Sequence, residues 1–255
     1  MKAIAVYNHK GGIGKTVTTI NFAYGLAERR KRILIIDMDP QGNASSFCKQ
    51  YDLSKISVRE LLSGMKMPSR CVRRTGLHWK DIDIIPSNIG LREMTKDMLI
   101  GGVETLRRAF WALEDKYDYC IVDCPPSVDF LIEVIMAAVD DVIIPMKPDR
   151  FSADGLGSVL DIIQDFGGGE VTAGCLFTQF YRHKDAIRSV ESVIRTHDVK
   201  IYDSVIRRCS AVDHSILVRR PLASCASKST ATLDYEEFTD EYLEKEDKTW
   251  HRSRV

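Results

Sequence analysis

The chain has 255 residues, 44% of them hydrophobic, enough for one large α/β domain or two small ones with a sizeable core. Its 36 basic and 36 acidic side chains sum to a formal net charge of zero, which excludes strong electrostatic binding by the surface as a whole and confines any nucleic-acid site to a local cluster. No stretch is long and apolar enough to cross a bilayer, the N-terminus lacks a signal peptide's apolar region, and seven cysteines scattered from Cys48 to Cys225 read as reduced cytosolic thiols.

In chain order, residues 3–7 form a short apolar run that predicts a strand, and residues 15–29 a helix with Ile20, Ala23, Leu26 and Ala27 on one stripe. Residues 33–36 are continuously apolar, as expected of a strand buried on both faces. Ser57 and Glu60 make a capping box for a short helix. Residues 81–86 alternate like a strand, and 103–116 is amphipathic, with Leu106, Phe110 and Leu113 together. A strand at 119–122 is followed by a helix over 127–138, a strand over 141–145 and a helix over 152–166 closed by Gly167 to Gly169. A strand over 171–178, a helix over 185–196 and an acidic helical segment over 230–250 complete the chain. Such alternation predicts a parallel sheet covered on both faces. Cys120 and Cys124 fall on the strand at 119–122 and the turn after it, a packing position more than a zinc site.

Residues 10–16 read Lys-Gly-Gly-Ile-Gly-Lys-Thr, between the first strand and the first helix. Gly11, Gly12 and Gly14 let the backbone turn through positive φ and approach a ligand. The loop N–H groups, Ile13 and Val17 included, can then line an anion-binding nest, and the helix adds the positive end of its dipole. Lys15 reaches the β- and γ-phosphates of a nucleotide as a point charge, and the Thr16 hydroxyl is placed to ligate Mg²⁺. The ordinary phosphate loop is G-x-x-x-x-G-K-[ST]; here His9 stands where its first glycine belongs, and a second lysine, Lys10, precedes the glycines. Asp37 and Asp39 follow the second apolar run where a parallel strand meets a ligand crevice. Asp37 reads as a strand-end acid that supports the loop or holds Mg²⁺ through water. Asp123 closes the strand at 119–122 and could hold Mg²⁺ through water, and Pro125 and Pro126 stiffen the loop after it.

Together these motifs resemble the ParA/MinD superfamily of P-loop ATPases, and the Soj-like ParA partition ATPases most closely. Residues 10–16 are similar to its deviant Walker A loop, K-G-G-x-G-K-[ST]. Asp37-Met-Asp-Pro-Gln-Gly-Asn43 is similar to its D-x-D-P-Q-x-N, and Asp123-Cys-Pro-Pro126 to the end of its Walker B strand. Residues 141–145 with Phe151 to Gly155 match its next strand and helix start, and Ser227-Lys-Ser229 with Tyr235 resembles P-x-S…A-x-x-Y. The likeness spans about residues 1–245. It implies a single-domain P-loop NTPase over residues 1–248, a mostly parallel twisted sheet with helices on both faces, and a frayed tail over 249–255. It also implies ATP and Mg²⁺ as cofactors. By the same resemblance Lys10 crosses a dimer interface to touch the partner's nucleotide, Asp39 orients or activates the attacking water, and Arg208 approaches the adenine. Three departures stand out. Val17 replaces a second Thr and leaves only a backbone N–H for the α-phosphate, Ile206-Arg-Arg-Cys209 stands for I-P-R-N, and Ser227 stands for the Pro of P-x-S.

The resemblance implies a slow ATPase that dimerises face to face with ATP and binds double-stranded DNA without sequence preference. A ParB-like partner would stimulate hydrolysis and release it. The expected location is cytoplasmic, on the nucleoid in the ATP state, with partition of a plasmid, chromosome or other mobile element as the role. A basic cluster is available: Arg182, Lys184, Arg188, Arg195, Lys200, Arg207, Arg208, Arg219, Arg220 and Lys228. The alternatives are a dethiobiotin-synthetase-like enzyme, which needs a substrate pocket beside the γ-phosphate, and a MinD-like positioning switch. The latter would end in a basic amphipathic helix, whereas 230–250 carries Asp234, Glu236, Glu237, Asp240, Glu241, Glu244, Glu246 and Asp247 and should be repelled by anionic lipid. An electron-transfer ATPase like the nitrogenase iron protein would need cluster cysteines, whose placement Cys124 does not reproduce.

Overall fold

Runs that are apolar without interruption cannot present a face to water, so they pair side by side in the interior. The computed structural model describes the chain except residues 77, 80, 81, 168–170, 182, 183, 198 and 253–255, with the backbone alone at 103, 184–189 and 247–252. Its strands are β1 (Lys2–Val6), β2 (Ile33–Asp37), β3 (Arg73–Arg74), β4 (Ile82–Ile85), β5 (Tyr119–Asp123), β6 (Asp141–Met146), β7 (Thr172–Phe180) and β8 (Lys200–Arg207). They form one eight-stranded sheet in the order β3-β4-β2-β5-β1-β6-β7-β8. Every neighbouring pair is parallel except β3 with β4. The connections are α1 (Lys15–Glu28), α2 (Asn43–Phe47), α3 (Val58–Leu62), α4 (Pro68–Cys71), α5 (Thr105–Trp111), α6 (Phe130–Met136), α7 (Arg150–Asp154), α8 (Leu156–Gly167), α9 (Lys184–Arg195), α10 (Ser210–Val218), α11 (Leu222–Cys225) and α12 (Thr230–Arg252). The expected α/β P-loop architecture is what the chain adopts.

The period of two along each strand builds two cores. Ala3, Ala5 and Tyr7 join Leu34, Ile36 and Val122 under α3, α5, α6 and α8. Ile4 and Val6 join Ile33, Ile35 and Ile121 under α1 and α12. The apolar stripe expected of α1 is too narrow a description, because the helix is buried on nearly every side from Thr18 to Ala27. The outer cover is α12. Phe22 meets Phe238 and Tyr242, each at 5.1 Å between ring centroids. The helices approach so closely that a Cβ on Gly25 would stand 2.4 Å from the Thr239 hydroxyl. Thr18 and Tyr235 share a buried hydrogen bond of 3.0 Å across the same contact, which gives the late tyrosine of the sequence motif its physical purpose.

Several boundaries differ from expectation. The helix over 127–138 begins only at Phe130, because the Asp129 carboxylate accepts the Leu131 N–H (3.0 Å) and sets the cap there. The single helix over 152–166 is two, α7 and α8, meeting at Gly155. The one over 103–116 is α5 alone, with tighter turns after it that still bury Leu113. Strand β8 and helix α10 were not expected. The capping box of α3 is present as read. Asp81, Gly168, Gly169, Arg182 and residues 253–255 of the tail lie outside the described residues, while α12 continues through the rest of the tail to Arg252.

Candidate nucleotide-binding site

The phosphate loop leaves β1 between its two neighbours β5 and β6, at the carboxyl end of the sheet. Long-range hydrogen bonds pin it. The Asn8 amide donates to Pro145 O (3.0 Å) while its Oδ1 accepts the Lys10 N–H (3.0 Å). From the end of β7, the Thr178 hydroxyl donates to Ile13 O and the Gln179 amide to Gly12 O, both at 2.7 Å. Gln179 holds a left-handed backbone (φ 52°) to do so. Because a trans peptide sets its C=O and N–H on opposite sides, tying down these two carbonyls turns the N–H groups of Ile13 and Gly14 the other way.

Gly14 begins α1 in the left-handed region (φ 91°) with no side-chain cap. The first bond of the ladder runs from Thr18 N–H to Gly14 O (2.8 Å), so the N–H groups of Lys15, Thr16 and Val17 precede it and have no helical acceptor. Among the described residues other than their chain neighbours, no atom lies within 4 Å of where a Cβ would sit on Gly11 or Gly12. An open glycine surface, an uncapped helix start and inward-turned amides are what a polyphosphate requires. The Val17 side chain is half-buried against the core under α1.

The two lysines of the loop diverge. Lys15 is buried, and its ammonium donates to Lys10 O (2.8 Å). Burial lowers its pKa, opposed by the charges of Asp123, Cys124 and Asp39. Lys10 is turned outward, and its ammonium donates to the carbonyl of Phe151 at the start of α7. Gly155 keeps room for it, since a Cβ there would lie 3.3 Å from the Lys10 Cε. Phe151, in the first turn of α7, is 82% exposed, and Val128, in the segment between β5 and α6, is 62% exposed.

Asp37 and Asp123 end adjacent parallel strands as direct register partners. Both are fully buried, and burial raises both carboxyls, with the charge of Asp37 adding to the rise at Asp123. Asp123 accepts the hydroxyls of Thr16 (2.8 Å) and Thr19 (3.1 Å). A carboxylate and a hydroxyl in contact at the loop's mouth are the hard oxygen donors Mg²⁺ prefers, so these residues fit that ion. Asp37 is turned elsewhere, accepting N–H and O–H donors from Asp39 and Ser45. Asp39 is buried, and its Oδ1 accepts the Gln41 N–H (2.8 Å). Burial raises its pKa, opposed by that hydrogen bond and by Lys15 and Arg92. Beside it opens a cavity of about 300 Å³ walled by Arg92, Asp129 and Phe130 among others.

Arg208 stands apart from these groups. It is exposed at the end of β8, its N–H donating to Phe180 O (3.3 Å) and its guanidinium to the Tyr181 hydroxyl. Among the described residues of the basic cluster, Lys200 and Arg207 lie far apart. Lys200 and Arg207 bracket β8, about 23 Å apart at ~3.3 Å per residue. Arg207 is committed to Asp234 (2.5 Å). Arg182 and the side chains of Lys184 and Arg188 lie outside the described residues.

Fold and site together define a P-loop nucleotide-binding protein with a second lysine in its loop. The profile of a family described as an AAA domain matches residues 1–169. The sporulation initiation inhibitor protein Soj of Bacillus subtilis is 31% identical over 218 residues, covering 81% of this chain and 84% of Soj. An uncharacterized protein of Mycobacterium tuberculosis is 31% identical over 259 residues, covering 96% of this chain and 79% of its own. The solved cobyrinic acid a,c-diamide synthase of Mycobacterium smegmatis, with bound ATP analogue and magnesium, superposes with a TM-score of 0.80 at 29% identity, covering 95% and 94% of the two chains. The chain belongs to the ParA/MinD family of P-loop ATPases.

Proposed function

We propose that this ATPase works as a switch whose ATP-bound form pairs face to face, holds double-stranded DNA without sequence preference, and lets go when a ParB-like partner accelerates hydrolysis. Partition of a replicon is the role that fits. The loop N–H groups would cradle the phosphates, Lys15 would neutralise the terminal ones, and Asp39 would orient the attacking water. Thr16 and Asp123 would hold Mg²⁺, which when bound neutralises charge on the β- and γ-oxygens. Asp37 serves the Asp39 loop in this reading, and Arg208 would reach the base once released from Tyr181.

The observation that carries the dimer is the divergence of the two lysines. Lys15 is buried among the site's acids and serves its own nucleotide. Lys10 points out beside exposed Phe151, which supports its use on a second copy. Sedimentation tests this directly. The wild type should dimerise with Mg²⁺ and a non-cleavable ATP analogue and be monomeric with ADP. Lys10→Ala should bind the analogue yet stay monomeric and lose ATP-dependent, salt-sensitive retention on DNA. A monomeric wild type, or a Lys10→Ala variant that pairs normally, would overturn the reading. The cavity beside Asp39 offers a metabolic enzyme on this scaffold a place for its substrate. A monomer that stays active would favour that alternative.

A further inference from the structure

Ser45 is fully buried in the first turn of α2, just after β2, and no sequence motif singled it out. Its hydroxyl and its N–H both donate to Asp37 Oδ2, at 2.6 and 2.7 Å. The same hydroxyl oxygen accepts the N–H of Ser87, just beyond β4, at 2.7 Å. Asp37 Oδ1 in turn accepts the Asp39 N–H (3.1 Å). The carbonyl of Asp39 accepts the Gly42 N–H (2.8 Å), and its side chain accepts the Gln41 N–H. A continuous line of hydrogen bonds therefore runs from the end of β4 through Ser45 and Asp37 to the backbone of Asp39.

A buried carboxylate held by several donors has one orientation; remove the closest donor and Oδ2 is left with the residue-45 N–H alone, so the group gains freedom to rotate. Asp37 faces Asp123 across the strand pair, and rotation would carry it from the Asp39 N–H. Asp39 would keep its side chain but lose the backbone anchor that aims it. We propose that Ser45 is a positioning residue for ATP hydrolysis, acting through Asp37 on Asp39. This rests on the reading of Asp39 as the group that orients the attacking water. It accounts for the first aspartate of the Asp37-Met-Asp39 pair without making it a metal ligand.

The test measures turnover of ATP with Mg²⁺, affinity for a non-cleavable analogue and thermal stability in Ser45→Ala, Ser45→Thr, Asp39→Ala and the Ser45→Ala/Asp39→Ala double variant. Loss of one buried hydrogen bond to a charged group predicts a turnover about ten-fold lower in Ser45→Ala. Analogue affinity should be unchanged. Ser45→Thr, which keeps the hydroxyl, should restore most of the rate. The double variant should turn over at the residual rate of Asp39→Ala, because residues acting as one unit are not additive. A folded Ser45→Ala with normal turnover overturns the proposal, as does a rate loss that recurs in full in the Asp39→Ala background or is matched by lost affinity. If Asp39→Ala itself turns over normally, the reading of Asp39 fails first. If Asp39→Ala is inactive and Ser45→Ala is normal, this proposal alone fails.

Discussion

The two ends of the sheet treat charge in opposite ways. At the amino end several carboxylates meet cations or hydrogen-bond donors. Asp141 accepts from Lys2 (2.9 Å) and Tyr242 (2.5 Å), Glu246 from Tyr119 (2.5 Å), Asp118 from Arg32 (2.8 Å), and Glu241 from the N–H groups of Asp203 and Ser204. At the carboxyl end like charges share burial. Asp37, Asp39 and Asp123 are all pushed up by desolvation, and the one buried cation, Lys15 among the described residues, rests on a carbonyl instead of a carboxylate. One end holds the fold. The other keeps unmet electrostatic demand that a magnesium triphosphate can satisfy, at a cost in the free protein.

The contrast is broken most strongly at Lys15. Lys15→Ala should weaken nucleotide binding by about 100-fold or more, the scale of one buried charge-assisted contact, as calorimetry would read. Thermal stability of the free protein should not fall, because a desolvated cation has been removed. A fall would mean that the carboxyl end also holds the fold. Asp141→Asn should do the reverse. Weakening two partners of a mostly buried carboxylate costs about 1–3 kcal/mol, or roughly 2–4 °C per kcal/mol in melting temperature, with nucleotide affinity unchanged.

The smallest effect lies at His9, whose Nδ1 is buried with no hydrogen-bond partner among the described residues. Burial, then the charges of Lys10 and Lys15, lower its pKa below 6.5. The unfolded chain therefore binds more proton in the window between that lowered value and about 6.5, so the contribution of His9 to stability rises with pH there and is complete above it. An NMR titration should place its midpoint below 6.5, and Lys10→Ala should move it up. A midpoint at or above 6.5 would show the loop less buried and less positive than described.

What could be read in advance was local. Lys10 to Thr16 carry turn, charge and hydroxyl within seven residues, and Ser57 with Glu60 makes a cap within one turn. The runs at 33–36 and 119–122 are apolar without interruption, so strand type and burial follow directly. What escaped was long-range or mixed. Strand β8 reads Lys-Ile-Tyr-Asp-Ser-Val-Ile-Arg, an edge strand whose polar residues hide its period. The bonds from Thr178 and Gln179 to the phosphate loop join residues more than 160 apart, and nothing local marks them. Ser45 sits in a stretch that reads as an ordinary polar turn, and only the path of β4 brings Ser87 to it. Helix α12 looked like an acidic appendage, because its buried face of Tyr235, Phe238, Thr239 and Tyr242 is outnumbered by carboxylates.

The seating of that helix on α1 bears on how the molecule is made. The phosphate loop opens directly into α1, and the outer wall of α1 is supplied more than 200 residues later, by Phe238 and Tyr242. During translation α1 must wait, half-clad, until α12 has been made. A nascent chain therefore has the sequence of a nucleotide grip long before α12 arrives to enclose the helix that the grip opens into.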